Sequence, residues 1–206
     1  MPIDPALSQS DYQVRLDWGM PGLRRLAPAP VIVVVQTLGL TAHALSAAEN
    51  AAGWEIAGDD DAAAALVRAA GATGAHVVVG GLRNAAAVAA HVLEVQRSRG
   101  ERTGISVLAV GQGEGADLRF SVEDSLGAGA VIAALGDLGI DHASPDAAVA
   151  GEGYRALAGA VRHLLTASGT GRALAADGGR DAVLAAAARD AASVVPVLRG
   201  EVVTAI

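Results

Sequence analysis

Two adjacent carboxylates, Glu123 and Asp124, lie near the start of the segment SVEDSLGAGAVI. The segment predicts a helix over approximately residues 122–138, so both acids fall in its first turn. Acidic side chains at this position usually stabilise the helix N-terminus. Two carboxylates near strand ends also suit Mg²⁺, which takes a few oxygen ligands and keeps several waters. Capping is the simpler interpretation of the spacing, and a magnesium site is the alternative that would do chemistry.

Three loops follow predicted strands and are therefore the next places to look for chemistry. In parallel α/β sheets, ligands bind beyond the carboxyl ends of the strands. The loops are Gln36-Thr37-Leu38-Gly39, Gly80-Gly81-Leu82-Arg83-Asn84 and Gly111-Gln112-Gly113-Glu114. The second loop precedes a predicted helix, whose free N–H groups and dipole favour a phosphate or carboxylate. A tight turn with Asn84 as helix cap and a solvated Arg83 is the structural alternative.

Several common catalytic signatures are missing from the sequence. GGLRN lacks the Lys and Ser/Thr of a phosphate-binding P-loop, and GQGEG lacks the glycine spacing of a dinucleotide fingerprint. The five histidines form neither an HxH nor an HExxH pair, which argues against a zinc site. GxSxG does not occur, so a serine-hydrolase elbow has no support.

The elements needed to position these loops alternate along the chain. Tyr12 to Trp18 shows the period-two pattern of a half-buried strand near a sheet edge, and Met20-Pro21-Gly22 is expected to break it. The continuous apolar runs predict interior strands at 31–35, 76–80 and 105–110. Alanine-rich helices are predicted between them, at 42–52, 62–70 and after Asn84.

The C-terminal half predicts further helices and a pair of strands. One helix is expected to begin at Ser144-Pro145 and run to about Leu165, where SGTG ends it, and another covers 181–189. SVVPVL and EVVTAI predict two short strands that could be antiparallel. Together these elements predict a three-layer α/β/α sandwich with a mainly parallel, mixed sheet, in a single domain over residues 1–206.

Composition narrows the function classes. The net charge is −7 and no basic cluster occurs, which argues against nucleic acid as a partner. Cysteine is absent, so disulfides, thiolate metal sites and cysteine nucleophiles are excluded. The N-terminus lacks the pattern of a signal peptide, and no apolar stretch approaches about twenty residues. We expect a soluble cytoplasmic protein that is not membrane-bound and that could form a homo-oligomer.

Five segments, in this order along the chain, resemble the 2-phosphosulfolactate phosphatase family. They are LRNAAAVA (82–89), LRFSVEDSLGAGAVI (118–132), SPDAAVA (144–150), SGTGRAL (168–174) and SVVPVL (193–198). YQVRLDWG (12–19) also resembles the opening of actinobacterial-type members. The resemblance implies an α/β/α phosphatase that uses Mg²⁺ to hydrolyse the phosphate monoester of a sulfonated lactate.

The resemblance also implies roles for particular residues. Glu123 and Asp124 match the family's acidic pair and would bind the metal, whereas Arg83 and Arg119 would bind phosphate or sulfonate in catalysis. Glu114 would replace an acid that the family carries two residues earlier. Substrate binding is assigned to Gly81, Asn84, Thr41, Ser168 and Gly169.

Two departures from the family pattern leave the function open. Gln36 stands where the family has an aspartate, and Gln112 stands where it has a glutamate. A neutral amide gives a magnesium ion no charge compensation. The first hypothesis is a Mg²⁺-dependent hydrolase of a small phosphomonoester. The second is a catalytically impaired relative that binds a small anion or a protein partner.

Overall fold

Seven strands form one mixed sheet in the part of the chain that the computed structural model describes, which is residues 6–56, 61–113 and 118–206. The order is β1-β5-β2-β4-β6-β7-β3, in which β1, β5, β2 and β4 are parallel and β6, β7 and β3 join by antiparallel pairs. The strands are β1 (Val14–Trp18), β2 (Val31–Val35), β3 (Trp54–Glu55), β4 (His76–Val79), β5 (Ile105–Ala109), β6 (Pro196–Arg199) and β7 (Val202–Ala205).

Helices cover both faces of this sheet, which confirms the predicted α/β class and its layers. The helices are α1 (Gly19–Arg25), α2 (Leu40–Glu49), α3 (Ala62–Ala72), α4 (Ala85–Arg99), α5 (Val122–Asp137), α6 (Pro145–Leu157), α7 (Val161–Ala167), α8 (Gly169–Ala176) and α9 (Arg180–Ala186). One buried cluster joins the sheet to α4, α5, α6, α7 and α9, and a second joins its opposite face to α2 and α3, with α1 beside them.

Strand β2 occupies the interior of the sheet, and all five of its residues are buried. It reads Val-Ile-Val-Val-Val because both of its faces are covered, so neither face needs polar residues. Glycines then bring α5 close on two sides. A Cβ at Gly127 would collide with Val35 and Thr37, whereas one at Gly129 would collide with the Ala150 carbonyl of α6. Gly127 therefore allows α5 to approach the sheet, whereas Gly129 allows it to approach α6.

The outer edge of β1 is closed by side-chain and loop contacts. The amide of Gln9 pairs with Leu16 as a strand residue would, since its Oε1 accepts from Leu16 N–H at 3.1 Å and its Nε2 donates to Leu16 C=O at 2.9 Å. Val14 N–H donates to His142 C=O, and Val14 C=O accepts from Ser144 N–H. Edge strands with free N–H and C=O groups invite pairing with other chains. These contacts leave little of β1 for such pairing.

The helices differ from the prediction at three places, although a helix does end at Ser168 as expected. Helix α1 begins at Gly19 and includes Met20-Pro21-Gly22, because proline fits the first turn of a helix, where N–H groups have no helical acceptor. The predicted helix over 145–165 is divided by a 3₁₀ turn at Ala158–Ala160. Ser168 does not simply end a helix, since its hydroxyl accepts from Gly171 N–H at 3.0 Å and caps α8.

None of the described helices has the length and apolar character needed to cross a bilayer.

Two histidines connect the start of β4 to the middle of α4. The Nε2 atoms of His76 and His91 are 2.7 Å apart, so one ring donates to the other. Burial lowers the pKa of both rings. The charge of Arg199 lowers the pKa of His76 further, and the charge of a protonated His76 lowers the pKa of His91 further. The folded protein therefore resists protonation of the pair.

We predict that this pair makes stability fall on acidification. Below a pH of about 6.5 the unfolded chain binds protons that the folded pair does not, so the free energy of unfolding decreases as the pH falls. Urea unfolding across this range should show a smaller decrease for His91→Gln than for the unaltered protein. The exposed His163→Gln is the matched control, and an equal decrease in all three proteins would contradict the prediction.

Candidate functional site

The carboxyl ends of β2 and β5 mark the point where the chain leaves two neighbouring strands toward opposite faces of the sheet. Strand β2 continues into α2 on one face of the sheet, while its neighbour β5 continues toward α5 on the other face. Loops that leave in opposite directions open a crevice between the two strand ends, which is the usual ligand site of such sheets. The loops at 36–39 and 111–113 follow these two strands, and the first turn of α5 contacts both loops through Asp124.

Asp124 closes the base of the crevice. Its Oδ1 accepts from Thr37 N–H at 2.7 Å and its Oδ2 accepts from Gly111 N–H at 3.0 Å, so one carboxylate joins both strand ends to α5. Gly111 has φ +75° and no room for a Cβ beside Arg119 C=O, which explains glycine there. Burial raises the pKa of Asp124 from 3.8 to about 7, against the opposing effect of these hydrogen bonds.

Glu123 is the acid of the site whose carboxylate makes no contact with another polar group in the described protein. Its side chain is buried, with the residue 3% exposed, and no hydrogen bond or ion pair to its carboxylate is found among the described residues. Its backbone C=O accepts from the Thr37 hydroxyl at 2.7 Å, which fixes this turn of α5 against β2. The two adjacent acids therefore differ in role, because Asp124 is used by the fold and Glu123 is available.

Gln36 is held as a helix cap. Its Oε1 accepts from Leu40 N–H at 2.8 Å at the start of α2, while its backbone N–H donates to the Thr41 hydroxyl at 3.1 Å. Thr41 in turn donates to Gly80 C=O at 2.9 Å, which ties the loops after β2 and β4 together. Thr41 is predicted to bind substrate, whereas in the structure its hydroxyl makes buried hydrogen bonds within the protein.

Gln112 connects the β5 loop to α8. Its Nε2 donates to the Thr170 hydroxyl, and its backbone exchanges two hydrogen bonds with Arg119. This contact brings the predicted Ser168 and Gly169 to the crevice side of the molecule. Ser168 is buried and caps α8, whereas Gly169 is exposed. The N–H groups of Gly169 and Thr170, in the first turn of α8, have no acceptor among the described residues.

The predicted anion site at the start of α4 is filled by the protein's own groups. Asn84 is the N-cap residue of α4, as predicted, but its side chain makes no cap hydrogen bond. The residue is fully buried, and its Oδ1 accepts instead from Gly81 N–H at 3.0 Å. Its Nδ2 donates to the carbonyls of Val79 and Val194. The carboxylate of Asp190 accepts from Ala86 N–H at 2.8 Å and takes the place expected for a ligand.

The two predicted arginines have different environments. Arg83 donates to Glu49 Oε1 at 2.7 Å, and its Nε is buried without a partner. Arg119 is exposed, and no partner for its guanidinium is found in the described chain. It lies beside Gln112 through the paired backbones. Glu114, the predicted replacement acid, lies outside the described residues.

The acidic and amide side chains at these strand ends could hold Mg²⁺ only if a bound ligand supplied further oxygen atoms. No group of three or more His, Asp or Glu that could hold a metal occurs among the described residues. Asp124 is committed to two N–H donors, and the Oε1 of Gln36 is committed to Leu40. Glu123 is the carboxylate that remains. Mg²⁺ commonly binds one or two carboxylates together with substrate phosphates, so Glu123 suits that mode.

Several residues of the site were missed from the sequence. Thr37, Gly111 and Thr170 support the acids and the start of α8, and each does so through one backbone or hydroxyl group. Asp190 has φ +47°, a conformation that non-glycine residues rarely adopt. For Thr170, the flanking Gly169 and Gly171 were the available signal. No sequence pattern indicated that Asp190 contacts α4.

We predict that Asp124→Asn destabilises the protein although it keeps the shape of the side chain. An amide has one oxygen, so the N–H of Thr37 or of Gly111 would lose its acceptor, at a cost of about 1–3 kcal/mol. Urea unfolding measures this loss. Asp146→Asn, an exposed acid in the first turn of α6, is the control and should change stability by less than about 0.5 kcal/mol.

The pH dependence gives an independent check on Asp124. Its pKa is raised from 3.8 to about 7, so the folded chain holds a proton that the unfolded chain releases within this window. Its contribution to the free energy of unfolding is therefore complete at acid pH and is lost as the pH rises through about 7. The stability difference between the unaltered protein and Asp124→Asn should shrink on that rise. A constant difference would contradict the raised pKa.

We also predict that Gln112 and Thr170 stabilise the fold as a pair. Gln112→Leu and Thr170→Val each remove the contact, so the double variant should lose less stability than the sum of the two single losses. The coupling energy is expected to be about 0.5–3 kcal/mol by urea unfolding. Additive losses would show that the hydrogen bond does not connect the two elements.

Comparison with known proteins agrees with the resemblance. The sequence profile of the family described as 2-phosphosulpholactate phosphatase matches residues 60–201. A comparison with curated proteins finds no match. The matched span contains the loop of Gly81 and Asn84, the first turn of α5 and the Ser168 turn. Because the profile covers well over half of the 206 residues, the chain belongs to the 2-phosphosulpholactate phosphatase family.

Proposed function

We propose that this protein hydrolyses a small anionic phosphomonoester of the 2-phosphosulfolactate type in the crevice between β2 and β5. Family membership supports phosphatase chemistry. The observation that carries the proposal is Glu123, a residue that is 3% exposed and whose carboxylate has no hydrogen bond or ion pair among the described residues. Its oxygens are not among the fully buried polar atoms that lack a partner, so they remain open to a ligand. Since no contact within the described fold uses this charge, a ligand is the better explanation for an acid at this position.

The charge of the phosphoryl group is opposed by Arg119 and by the start of α8. Within the described part of the chain, the guanidinium of Arg119 has no partner, and the N–H groups of Gly169 and Thr170 have no acceptor. Ser168 and Gln112 hold this turn in place. Preorganised donors of this kind stabilise charge that develops on phosphoryl oxygens.

Arg83 is proposed as a second cation that binds the phosphoryl group. It would first have to break its ion pair with Glu49.

Mg²⁺ is proposed to bind Glu123 together with oxygens of the ester. When bound there, the ion would neutralise negative charge on the phosphoryl group. Asp124 supports Glu123 by fixing the first turn of α5, rather than by adding a second metal ligand. The ion and the ester should consequently bind more tightly together than alone.

The reaction itself requires water to add to phosphorus while the bond from phosphorus to the ester oxygen breaks. The water loses a proton and the departing oxygen gains one, so a group that carries protons is needed. We propose Glu114 for this role, because it follows Gln112 by two positions in the sequence. Gly81, Asn84 and Thr41 serve substrate binding indirectly, since their contacts set the shape of the loops.

The proposal is tested by phosphate release from 2-phosphosulfolactate and 2-phospholactate, with Mg²⁺ or with EDTA. We expect turnover that EDTA abolishes. Glu123→Gln should lower kcat/KM by about 100-fold or more, because a charge-stabilising group is removed. Arg119→Ala should raise KM about ten-fold, the loss of one charge-assisted hydrogen bond.

Exposed residues of the same types supply the controls. Glu94→Gln and Arg97→Ala lie on the solvent side of α4, with side chains 65% and 64% exposed, and should leave both constants unchanged. Calorimetry adds a readout that does not need turnover. Mg²⁺ should bind weakly alone and more tightly in the presence of inorganic phosphate, and Glu123→Gln should remove the difference. If Glu123→Gln binds Mg²⁺ as tightly as the unaltered protein does, Glu123 is not the metal ligand.

A catalytically impaired relative is the second candidate, and the two glutamines favour it. Both amides are held by structural hydrogen bonds, so neither supplies the charge expected at its position. This candidate binds a small anion without hydrolysing it. It predicts no phosphate release from the unaltered protein, but turnover by the Gln36→Asp, Gln112→Glu double variant. EDTA-sensitive turnover by the unaltered protein would rule it out.

A further inference from the structure

A small pocket lies toward the amino ends of β2 and β5, away from the acids at their carboxyl ends. Its volume is about 240 Å³, and it is bounded by Ile32 and Ser106 in the sheet, by the end of α1 and by Thr73, which ends α3. Ser106 precedes Gly111, a contact of Asp124, by five residues, which is about 16 Å of extended strand. The pocket is therefore separate from the candidate functional site.

The sheet side of this pocket contains a hydroxyl without a partner. Ser106 is 3% exposed, and its Oγ is buried without a hydrogen bond in the described part of the chain. Successive side chains of a strand point to opposite faces, so Ser106 shares the face of Leu108, which also lines the pocket. A serine hydroxyl turns by rotation about a single bond, so it can reach a molecule in the pocket while the strand stays in place. Because buried polar groups in native proteins are almost always hydrogen-bonded, this hydroxyl indicates a bound group.

A water molecule alone would satisfy this hydroxyl poorly. A buried water typically makes about three hydrogen bonds. The other polar side chains of the lining are Arg24 and Thr73, which are both exposed, and the Thr73 hydroxyl already donates to Ala70 C=O at 2.6 Å. The rest of the lining is Leu, Ile, Ala and Pro. An engineered cavity of about 150 Å³ holds benzene, so this pocket has room for an apolar body of about ten non-hydrogen atoms.

Two arginines give the pocket a positive charge that no acid of its lining offsets. Arg24 lines it, and no partner for its guanidinium is found among the described residues. Arg15 is the neighbour of Ser106 in the register of β1 and β5, and it donates to the carbonyls of Ala27 and Pro28 in the pocket wall. No carboxylate pairs with Arg15 in the described chain, and no described Asp or Glu lines the pocket. The charge therefore favours an anion over a cation or a neutral molecule.

The surroundings select a carboxylate rather than a phosphate. A single guanidinium can bind both oxygens of a carboxylate through two parallel hydrogen bonds. A phosphate dianion would bring more charge and more acceptors than Arg24 alone can satisfy, against walls that are otherwise apolar. The polar groups of the occupant are thus one carboxylate for Arg24 and one hydroxyl for Ser106.

We propose that this pocket binds a small monocarboxylate that has an apolar body and a hydroxyl group at its opposite end. The carboxylate pairs with Arg24, the body contacts Leu26 and Ile32, and the hydroxyl exchanges a hydrogen bond with Ser106. The proposal goes beyond the proposed phosphatase activity, and it uses none of the residues assigned to that activity.

Calorimetry with two molecules of this class tests the proposal. We expect 4-hydroxybenzoate, which is rigid, or 6-hydroxyhexanoate, which is flexible, to bind with a Kd below about 1 mM, as suits a ligand of this size. Benzoate and hexanoate lack the hydroxyl, whereas 4-hydroxybenzamide and 6-hydroxyhexanamide lack the charge. Each should bind about five-fold or more weakly than its parent, because one hydrogen-bonded contact is lost. Failure of both parent molecules to bind would overturn the proposal.

Substitutions assign the binding to this pocket. Ser106→Ala should remove the preference for the hydroxyl-bearing molecules, and Arg24→Gln should remove the preference for carboxylates over amides. Ser98→Ala and Arg97→Gln, on the exposed side of α4, are the matched controls and should bind as the unaltered protein does. Arg119→Ala should also leave binding unchanged. Binding that either pocket variant leaves unchanged, or that Arg119→Ala removes, would place the ligand elsewhere and would overturn the proposal.

The stability of Ser106→Ala gives a readout that needs no ligand. Because the hydroxyl has no partner in the folded protein, its removal should raise the urea concentration at the midpoint of unfolding. Ser144→Ala should lower this midpoint, since the Ser144 hydroxyl accepts from Ala147 N–H at 3.2 Å and caps α6. A lower midpoint for Ser106→Ala would show that its hydroxyl already has a partner, and the pocket would then have no unsatisfied group to bind a ligand.

Discussion

The carboxylate of Asp124 is the contact on which the site depends. It brings together two strand ends and a helix that are far apart in the sequence, and it does so through the backbone N–H groups of Thr37 and Gly111. Neither donor could be left unpaired in the interior without a substantial cost. The position of Glu123 then follows, because its residue directly precedes Asp124 in the same helical turn. The two acids thus differ, since one is bonded to the backbone and the other has no partner among the described residues.

Much of the fold follows from local patterns. The valine-rich run at 31–35 is an interior strand because a sheet covered on both faces needs apolar side chains throughout, and the alternating residues of β1 belong to an edge. The start of α6 follows from Ser144 and Pro145, which cap and open the helix as expected. These features depend on neighbours in the sequence, so a single chain contains enough information to predict them.

The site was less predictable because its contacts join distant segments. Glu123 and Asp124 have the same residue chemistry and adjacent positions, and nothing local indicates that one is bonded to β2 and β5 while the other is free. Gln36 and Gln112 were noted as missing acids, yet their hydrogen bonds to Leu40 and Thr170 are visible only in three dimensions. Asp190 lies about a hundred positions from the helix start that it caps, so the anion site expected at α4 could not be judged from the loop alone.

The glycines of α5 have a consequence for how this sequence can vary. Gly127 faces the sheet and Gly129 faces α6, so the helix is confined between two surfaces that both approach its backbone. A methyl group at either position would displace the helix away from one neighbour and into the other. The acids lie within two turns of these glycines, so such a displacement would move them as well. Substitutions that leave the acids themselves intact can therefore disturb the site, and the packing around these two positions favours glycine at both.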